Sequence, residues 1–317
     1  MTRANVVGRF APSPTGPLHV GSLVAAVGSW LFARSRRGRW LVRMEDLDTP
    51  RVRAGSAGEI LEVLTRYGLR WDGEVEYQSA RQHGYAEALD QLRARGVAYD
   101  CGCSRADLLR AGSAPDAADV TDPVAVYPGT CRNGLAGRTA RAVRFRATDE
   151  TIVFEDAIRG RVEQNLARDV GDFVIRRADG VWAYQLAVVV DDAGQGVTEV
   201  VRGGDLLDST ARQIALQRAL DLPTPGYAHL PLIIDARGNK IGKRDGALPL
   251  PLLDERMIRE TLAFALDVLG CNVDPDEPQR MLNQALTSFS LDRLRSAEVR
   301  HSLVENGFKR KGDQGHG

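Results

Sequence analysis

Lysine is nearly missing from this chain. It stands only at 240, 243, 309 and 311, and the rest of the positive charge is arginine. Long apolar runs are missing too: nothing in the 317 residues reaches the length of a bilayer span, and Met1-Thr2-Arg3-Ala4-Asn5 carries no apolar signal core. The expected compartment is therefore the cytoplasm, with no membrane partner. Only four cysteines occur, too few for a disulfide framework in so large a chain, and three fall between 101 and 131, which suits a metal in a reducing compartment. Excess charge of either sign is absent. Lys+Arg and Asp+Glu both number 42, so no whole-protein basic field argues for nucleic acid, and any RNA surface must be a local patch. What is present, 43% hydrophobic and 26% charged residues, is ordinary for a folded protein of one large or two small domains.

The most informative stretch runs from Arg9 to Ser22. Val6 and Val7 lead into Phe10 as a short apolar strand, Pro12, Pro14, Gly16 and Pro17 forbid regular structure, and Leu23 to Phe32 reads as an apolar helix. The first amides of a helix lack partners and carry partial positive charge, so such a turn suits phosphate, with His19 and Ser22 as added donors. The same residues would also serve as a plain turn between a buried strand and a buried helix.

Further along, Trp40 to Met44 reads as a buried strand, followed by the acidic run from Glu45 to Asp48 at its carboxyl end, a place where open α/β sheets commonly build a site. Residues 54–67 and 80–95 have helical spacing, and the strand–helix alternation argues for a parallel sheet. The character changes at Tyr99. Cys101-Gly102-Cys103 and, further on, Cys131 can supply three thiolates to Zn²⁺, with Tyr127, an aspartate or water as the fourth ligand; three reduced thiols with Tyr127 as packing is the other reading. Cys271 stands alone as a small hydrophobe. Half-buried strands alternate between 140 and 178, so 100–183 reads as an insertion. The run from Trp182 to Asp192 is a buried strand or helix, and Arg202 ends the next strand. With Arg9 it can clamp a carboxylate from two sides, as lysine cannot. Leu230 to Ile234 is the next expected strand. The glycine-punctuated, mobile loop after it holds two of the four lysines, Lys240 and Lys243. Helices are expected at 258–269, 279–286 and 291–294, and a frayed basic tail at 309–317.

The residues His19-Val20-Gly21-Ser22, preceded by Ala11-Pro12-Ser13-Pro14-Thr15-Gly16, resemble the first signature of the class I aminoacyl-tRNA synthetases and, in the lead-in, their glutamyl branch. The loop around Lys240 and Lys243 resembles the second signature. Two departures stand out: Ser22 replaces the second histidine of the first signature, and Ile241, Gly242 and Arg244 depart from the second. The resemblance covers about Val6 to Ala247. It implies an α/β class I synthetase fold with a Rossmann-like parallel sheet, an inserted zinc-bearing α+β domain and a short helical C-terminal region. The corresponding ranges are 1–99 and 184–247 for the two catalytic halves, 100–183 for the insertion and 248–317 for the end, with no anticodon-binding domain. By the same resemblance Arg9, Ala11, Ser13, Glu45, Tyr184 and Arg202 form a glutamate pocket, with Glu45 on the substrate ammonium. Pro12, His19, Gly21, Ser22 and Lys243 bind ATP, which is expected with Mg²⁺, and His19, Lys240 and Lys243 act on the charge that grows during attack on ATP. Cys101, Cys103, Tyr127 and Cys131 would hold one structural Zn²⁺.

Shortened chains of this pattern resemble the glutamyl-queuosine tRNA(Asp) synthetase family, which activates L-glutamate without tRNA and loads it onto queuosine in the tRNA(Asp) anticodon. The expected partners are L-glutamate, ATP and queuosine-bearing tRNA(Asp), with the chain a monomer. A compact glutamyl-tRNA synthetase charging an acceptor end, and a non-catalytic zinc-bearing RNA binder, are the alternatives.

Overall fold

The computed structural model describes residues 5–110, 126–233, 250 and 254–296. In chain order the first half of the sheet is β1 (Val7–Phe10), α1 (Val20–Ser35), β2 (Arg39–Met44), α2 (Ser56–Arg66), β3 (Glu76–Tyr77) and α3 (Gln82–Ala94). Then come β4 (Ala98–Cys101), α4 (Arg105–Arg110), β5 (Ala142–Phe145), β6 (Thr151–Asp156), β7 (Gly160–Asn165), α5 (Leu166–Asp169) and β8 (Phe173–Arg176). The rest is α6 (Tyr184–Gly194), β9 (Glu199–Gly203), α7 (Thr210–Ala219), β10 (Gly226–Leu230), α8 (Glu255–Val268), α9 (Pro278–Ser288) and α10 (Leu291–Ser296).

Among the described residues the main sheet has the order β3-β2-β1-β9-β10-β6-β7, parallel throughout except for the antiparallel β6–β7 hairpin. Side-chain alternation along the strands feeds two cores. Phe10, Trp40, Val42, Met44, Val201, Ala228 and Leu230 face α1, α2, α8 and α9. Val7, Leu41, Val200 and Tyr227 face α3, α6 and α7. Helix α1 is buried almost all round, and at Gly28 a Cβ would come within 2.6 Å of Leu230 Cδ1, so a larger residue would push α1 off the sheet. The C-terminal helices seal this side, Phe289 meeting Phe32 edge-on at 6.3 Å.

The stretch 100–183 contributes to two sheets. β4, β5 and β8 form a separate antiparallel sheet, whereas the β6–β7 hairpin adds to the edge of the main sheet at β10 through the pair Tyr227↔Asp156. The ambiguous run after Trp182 is a helix, α6, covered on one side by the sheet and closed by the consecutive acids Asp191 and Asp192. The strand expected at 230–234 instead runs Gly226–Leu230 and stops where Pro231 removes the next amide donor. No helix among the described residues is long and apolar enough to cross a membrane.

Candidate active site

The order of the sheet reverses between β1 and β9, the point at which open α/β sheets leave a crevice beyond the carboxyl ends of their strands. Four charged or polar side chains occupy the next-to-last positions of adjacent strands there: Arg9 on β1, Arg43 on β2, Arg202 on β9 and His229 on β10. Period two puts all four on the α6 side of the sheet, in line with Val7, Leu41, Val200 and Tyr227. All are buried.

Helix α6 supplies the counter-charges. Asp192 takes Arg9 Nε on Oδ1 at 3.0 Å and Arg9 Nη2 on Oδ2 at 3.3 Å, while Arg43 Nη2 lies 2.9 Å from Oδ1. Asp191 accepts from Gln78 Nε2 and the Tyr85 hydroxyl at 2.8 Å each, and from Arg81 Nε at 2.6 Å. Burial works against the Asp192 charge, but the two guanidiniums outweigh it and hold its carboxyl below the usual range. Glu45 is the exception in this cluster. It follows β2, its amide is tied to the Pro12 carbonyl at 2.9 Å, and Oε1 is buried without a hydrogen bond, 3.5 Å from Arg43 Nη2. Burial pushes its carboxyl up to about 7 in spite of Arg43 and Arg9. A carboxylate that faces a cavity with an ion pair to Arg43 but no hydrogen bond on Oε1 is a seat for a further cation.

Arg202 is held differently, by neutral groups alone. Its Nε donates to His229 Nε2 at 3.0 Å, Nη1 to Gln213 Oε1 at 2.8 Å and the Tyr184 hydroxyl at 3.2 Å, and Nη2 to Thr210 Oγ1 at 2.9 Å and the Leu206 carbonyl at 3.2 Å. Its positive charge has no carboxylate against it in this set, whereas Arg9 keeps Nη1 without a partner among the described residues.

The turn after β1 opens α1. His19 is its N-cap, Nδ1 accepting from the Ser22 amide at 3.4 Å, which leaves Nε2 to carry the ring proton. Gly21 leaves this ring room, since a Cβ there would lie 3.1 Å from His19 Cε1 and the ring would have to give by a few tenths of an ångström. Ser56 braces the turn by bonding both the amide and the carbonyl of Gly16, at 3.1 and 3.0 Å. Arg9, Ala11, Pro12, Ser13, His19, Gly21, Ser22, Glu45, Tyr184 and Arg202 all line one cavity of about 1420 Å³. Lys240 and Lys243 lie outside the described residues.

The sulfurs of Cys101, Cys103 and Cys131 lie within 4.8 Å of one another, with Cys103 and Cys131 3.6 Å apart. The Tyr127 hydroxyl sits 3.4 Å from Cys101 Sγ and 3.5 Å from Cys103 Sγ. A tetrahedral Zn²⁺ with Zn–S about 2.3 Å and Zn–O about 2.0 Å requires S···S edges of about 3.8 Å and S···O edges of about 3.5 Å. The Cys103–Cys131 edge and the two edges from Tyr127 match that geometry. Arg144 Nε reaches Cys101 Sγ at 3.4 Å and Arg138 Nη1 reaches Cys103 Sγ at 3.3 Å, two cations against a thiolate-rich centre. Cys103 and Arg144 also border the main cavity.

Arg43, Asp191, Asp192, Asp156 and His229 were missed by motif reading. A signal for two of them was present: a charged or imidazole side chain at the buried phase of a period-two strand, as in Leu41-x-Arg43 and Tyr227-x-His229, the pattern that Val200-x-Arg202 also shows.

This fold, with a phosphate-type turn and an arginine-rich crevice at one switch point, is that of a class I tRNA synthetase. The family described as "tRNA synthetases class I (E and Q), catalytic domain" matches residues 5–292. Among solved structures, a glutamate tRNA ligase from Elizabethkingia meningosepticum in complex with its amino acid superposes with a TM-score of 0.76 at 28% identity, covering 94% of this chain and 67% of that one. Curated relatives are more similar in sequence. A glutamyl-Q tRNA(Asp) synthetase of Thiobacillus denitrificans is 55% identical over 300 residues, 93% of this chain and 96% of the relative. One of Geobacter sulfurreducens is 56% identical over 246 residues, 77% of each. The chain belongs to the glutamyl-Q tRNA(Asp) synthetase family.

Proposed function

We propose that this chain joins L-glutamate to ATP without tRNA and transfers the glutamyl group to queuosine in the anticodon of tRNA(Asp). The supporting observation is a single cavity that brings together two differently held arginines, a carboxylate with an oxygen free of hydrogen bonds and a helix N-terminus. The glutamate side-chain carboxylate enters between Arg9 Nη1 and Arg202, replacing the Tyr184 hydroxyl, one of two partners at 3.2 Å, which then turns to donate to the substrate. The ammonium goes to Glu45, and the backbone at Ala11 and Ser13 borders the α-carboxylate side. ATP enters as its Mg²⁺ complex with its phosphates at the start of α1, near Pro12, His19, Gly21 and Ser22.

An oxygen of the substrate α-carboxylate attacks the α-phosphorus, the bond to the bridging oxygen of the β-phosphate breaks, and pyrophosphate leaves. His19 Nε2–H and the α1 amides stabilise the charge on the phosphoryl oxygens, and Lys240 and Lys243 follow it onto pyrophosphate. In the second step a queuosine hydroxyl attacks the adenylate carbonyl, AMP leaves, and the hydroxyl proton is released. Cys101, Cys103, Tyr127 and Cys131 would hold a structural Zn²⁺, which would fix the turn beside the cavity and take no part in the reaction.

Glutamate-dependent pyrophosphate exchange tests the first step. It is expected in the absence of any tRNA, and its absence would defeat the assignment. Labelled glutamate recovered on tRNA(Asp) in its anticodon is the expected product; recovery on the terminal ribose of tRNA(Glu) would replace the acceptor by an acceptor end.

A further inference from the structure

Three buried groups on three neighbouring strands stand in a line that leads away from the cavity. Asp156 ends β6, His229 lies on β10, and Arg202 lies on β9 as the register partner of His229. Asp156 Oδ2 is 2.6 Å from His229 Nδ1, and Arg202 Nε is 3.0 Å from His229 Nε2. Side chains of Asp156 and His229 are fully enclosed. Asp156 is itself fixed, since its Oδ1 accepts from the amides of Ile158 at 3.0 Å, Arg159 at 2.8 Å and His229 at 3.2 Å.

Donor counting settles where the ring proton sits. Arg202 Nε always carries hydrogen and never accepts, so His229 Nε2 must be the bare nitrogen and the proton belongs on Nδ1, facing the carboxylate. A protonated ring would set two donors and two like charges face to face across 3.0 Å. Burial lowers the affinity of the ring for a second proton and the guanidinium lowers it further, which outweighs the opposing pull of Asp156.

We propose that Asp156 and His229 are positioning residues for the amino-acid substrate: Asp156 selects the Nδ1–H tautomer, and that tautomer aims the guanidinium of Arg202 at the substrate carboxylate. Neither touches substrate. The inference rests on the reading of Arg202 as the carboxylate-binding arginine, and it goes beyond that reading by assigning the β6–β7 hairpin a part in the site. The carboxylate that orients β9 comes from a hairpin that the sheet acquires at its edge, through one register pair with β10. Without it, Nε2 would be free to take the proton and turn Arg202 out of plane.

Substitution of the carboxylate by an amide is the discriminating change. In Asp156→Asn the amide oxygen satisfies the Ile158 and Arg159 amides, which leaves the NH₂ group facing Nδ1. The ring must then accept there and protonate Nε2 against Arg202 Nε. The expected result is a KM for glutamate raised roughly 5- to 150-fold, the range for a buried donor left without an acceptor, with KM for ATP unchanged. His229→Leu should behave alike, and His229→Gln, whose amide oxygen can stand where Nε2 stood, should recover much of the loss.

Nitrogen-15 NMR of the histidine-labelled wild-type protein reads the tautomer with no assay of activity: a protonated Nδ1 and a bare Nε2 at His229 are expected, with the pattern inverted in Asp156→Asn. A protonated Nε2 in the wild type overturns the proposal, whether or not any variant folds. So does an Asp156→Asn variant with unaltered glutamate KM, or one with both KM values raised equally. If the wild type shows the expected tautomer but no glutamate-dependent exchange, the functional reading of Arg202 fails and the relay stands only as a structural bond.

Discussion

Glu45 is the residue whose chemistry most directly sets conditions for the site. Its carboxyl is pushed up to about 7 from 4.5, first by burial, with Arg43 and Arg9 recovering part of the cost. In the unfolded chain the proton leaves near the ordinary value, in the folded protein only near 7. Between those values the folded state binds more protons, so stability falls as pH rises through this window and stays lower above it. Glu45→Gln removes the burden: at pH 8 it is expected to be more stable than wild type by on the order of 3 kcal/mol, read as a higher melting temperature, with no gain at pH 4. Binding of an ammonium runs the other way, because only the ionised carboxylate pairs with it. KM for glutamate is therefore expected to rise about tenfold per unit as pH drops below 7, with ATP unaffected. A glutamate KM that stays flat from pH 8.5 to 5.5 would remove Glu45 from the ammonium site. At position 22 the backbone amide bonds His19 Nδ1 at 3.4 Å, a contact that any residue there would make, and nothing in the structure explains serine in place of the second signature histidine.

At the scale of elements, what was legible in the sequence had a short-range cause. The proline-rich turn, the apolar helix α1, the acidic end of β2 and the Cys101-Gly102-Cys103 pair are all written within a few residues, whereas Cys131, 28 residues beyond Cys103, is brought to them by the fold. The strand boundary at Leu230 was misplaced because apolar character continues to Ile233 and 234 while the hydrogen-bonding ladder stops at Pro231. Run 184–194 was ambiguous because an apolar segment buried on most sides has no clear period; only the packed structure shows that its two terminal acids meet β1 and β2. Asp156 and His229 could not be paired in advance, because 73 residues separate them and the contact depends on the hairpin joining the sheet. Gly171 is a comparable case. It takes φ +75°, and a Cβ there would lie 2.7 Å from the Tyr127 amide nitrogen and 3.0 Å from its carbonyl oxygen, where the two backbones bridge. Gly171→Ala is expected to cost about 1–3 kcal/mol and to move the phenol away from the sulfurs. Native mass spectrometry should then show reduced zinc occupancy, whereas full occupancy with an unaltered melting temperature would contradict the close approach.

On the scale of the whole molecule, the two cores divide the labour unevenly. The groups assigned to glutamate and ATP stand on β1, β2, α1, α6 and β9, braced from both faces of the main sheet. The cysteine cluster instead has its own small apolar set, Cys101, Leu108, Tyr127 and Cys131, on the far side of the antiparallel sheet. That sheet is nevertheless anchored inward, since Val143, Phe145, Phe173 and Ile175 share the core that contains Leu186 and Val189 of α6. Loss of the Zn²⁺ proposed for this cluster should therefore loosen the sulfur side while leaving the inner face of β5 and β8 in place. Arg144 spans the two, holding Cys101 Sγ and, at 2.6 Å, the Asp172 carbonyl while bordering the cavity. A Cys101→Ser, Cys103→Ser variant is expected to lose zinc, to melt with an early transition confined to this region, and to keep glutamate-dependent pyrophosphate exchange near the wild-type rate. Transfer to tRNA needs the cavity border as well, and a border displaced by about an ångström should slow it on the order of 100-fold. Loss of exchange in step with transfer would mean that the metal supports the main sheet too, and that the inner face of β5 and β8 is not the firm boundary this packing implies.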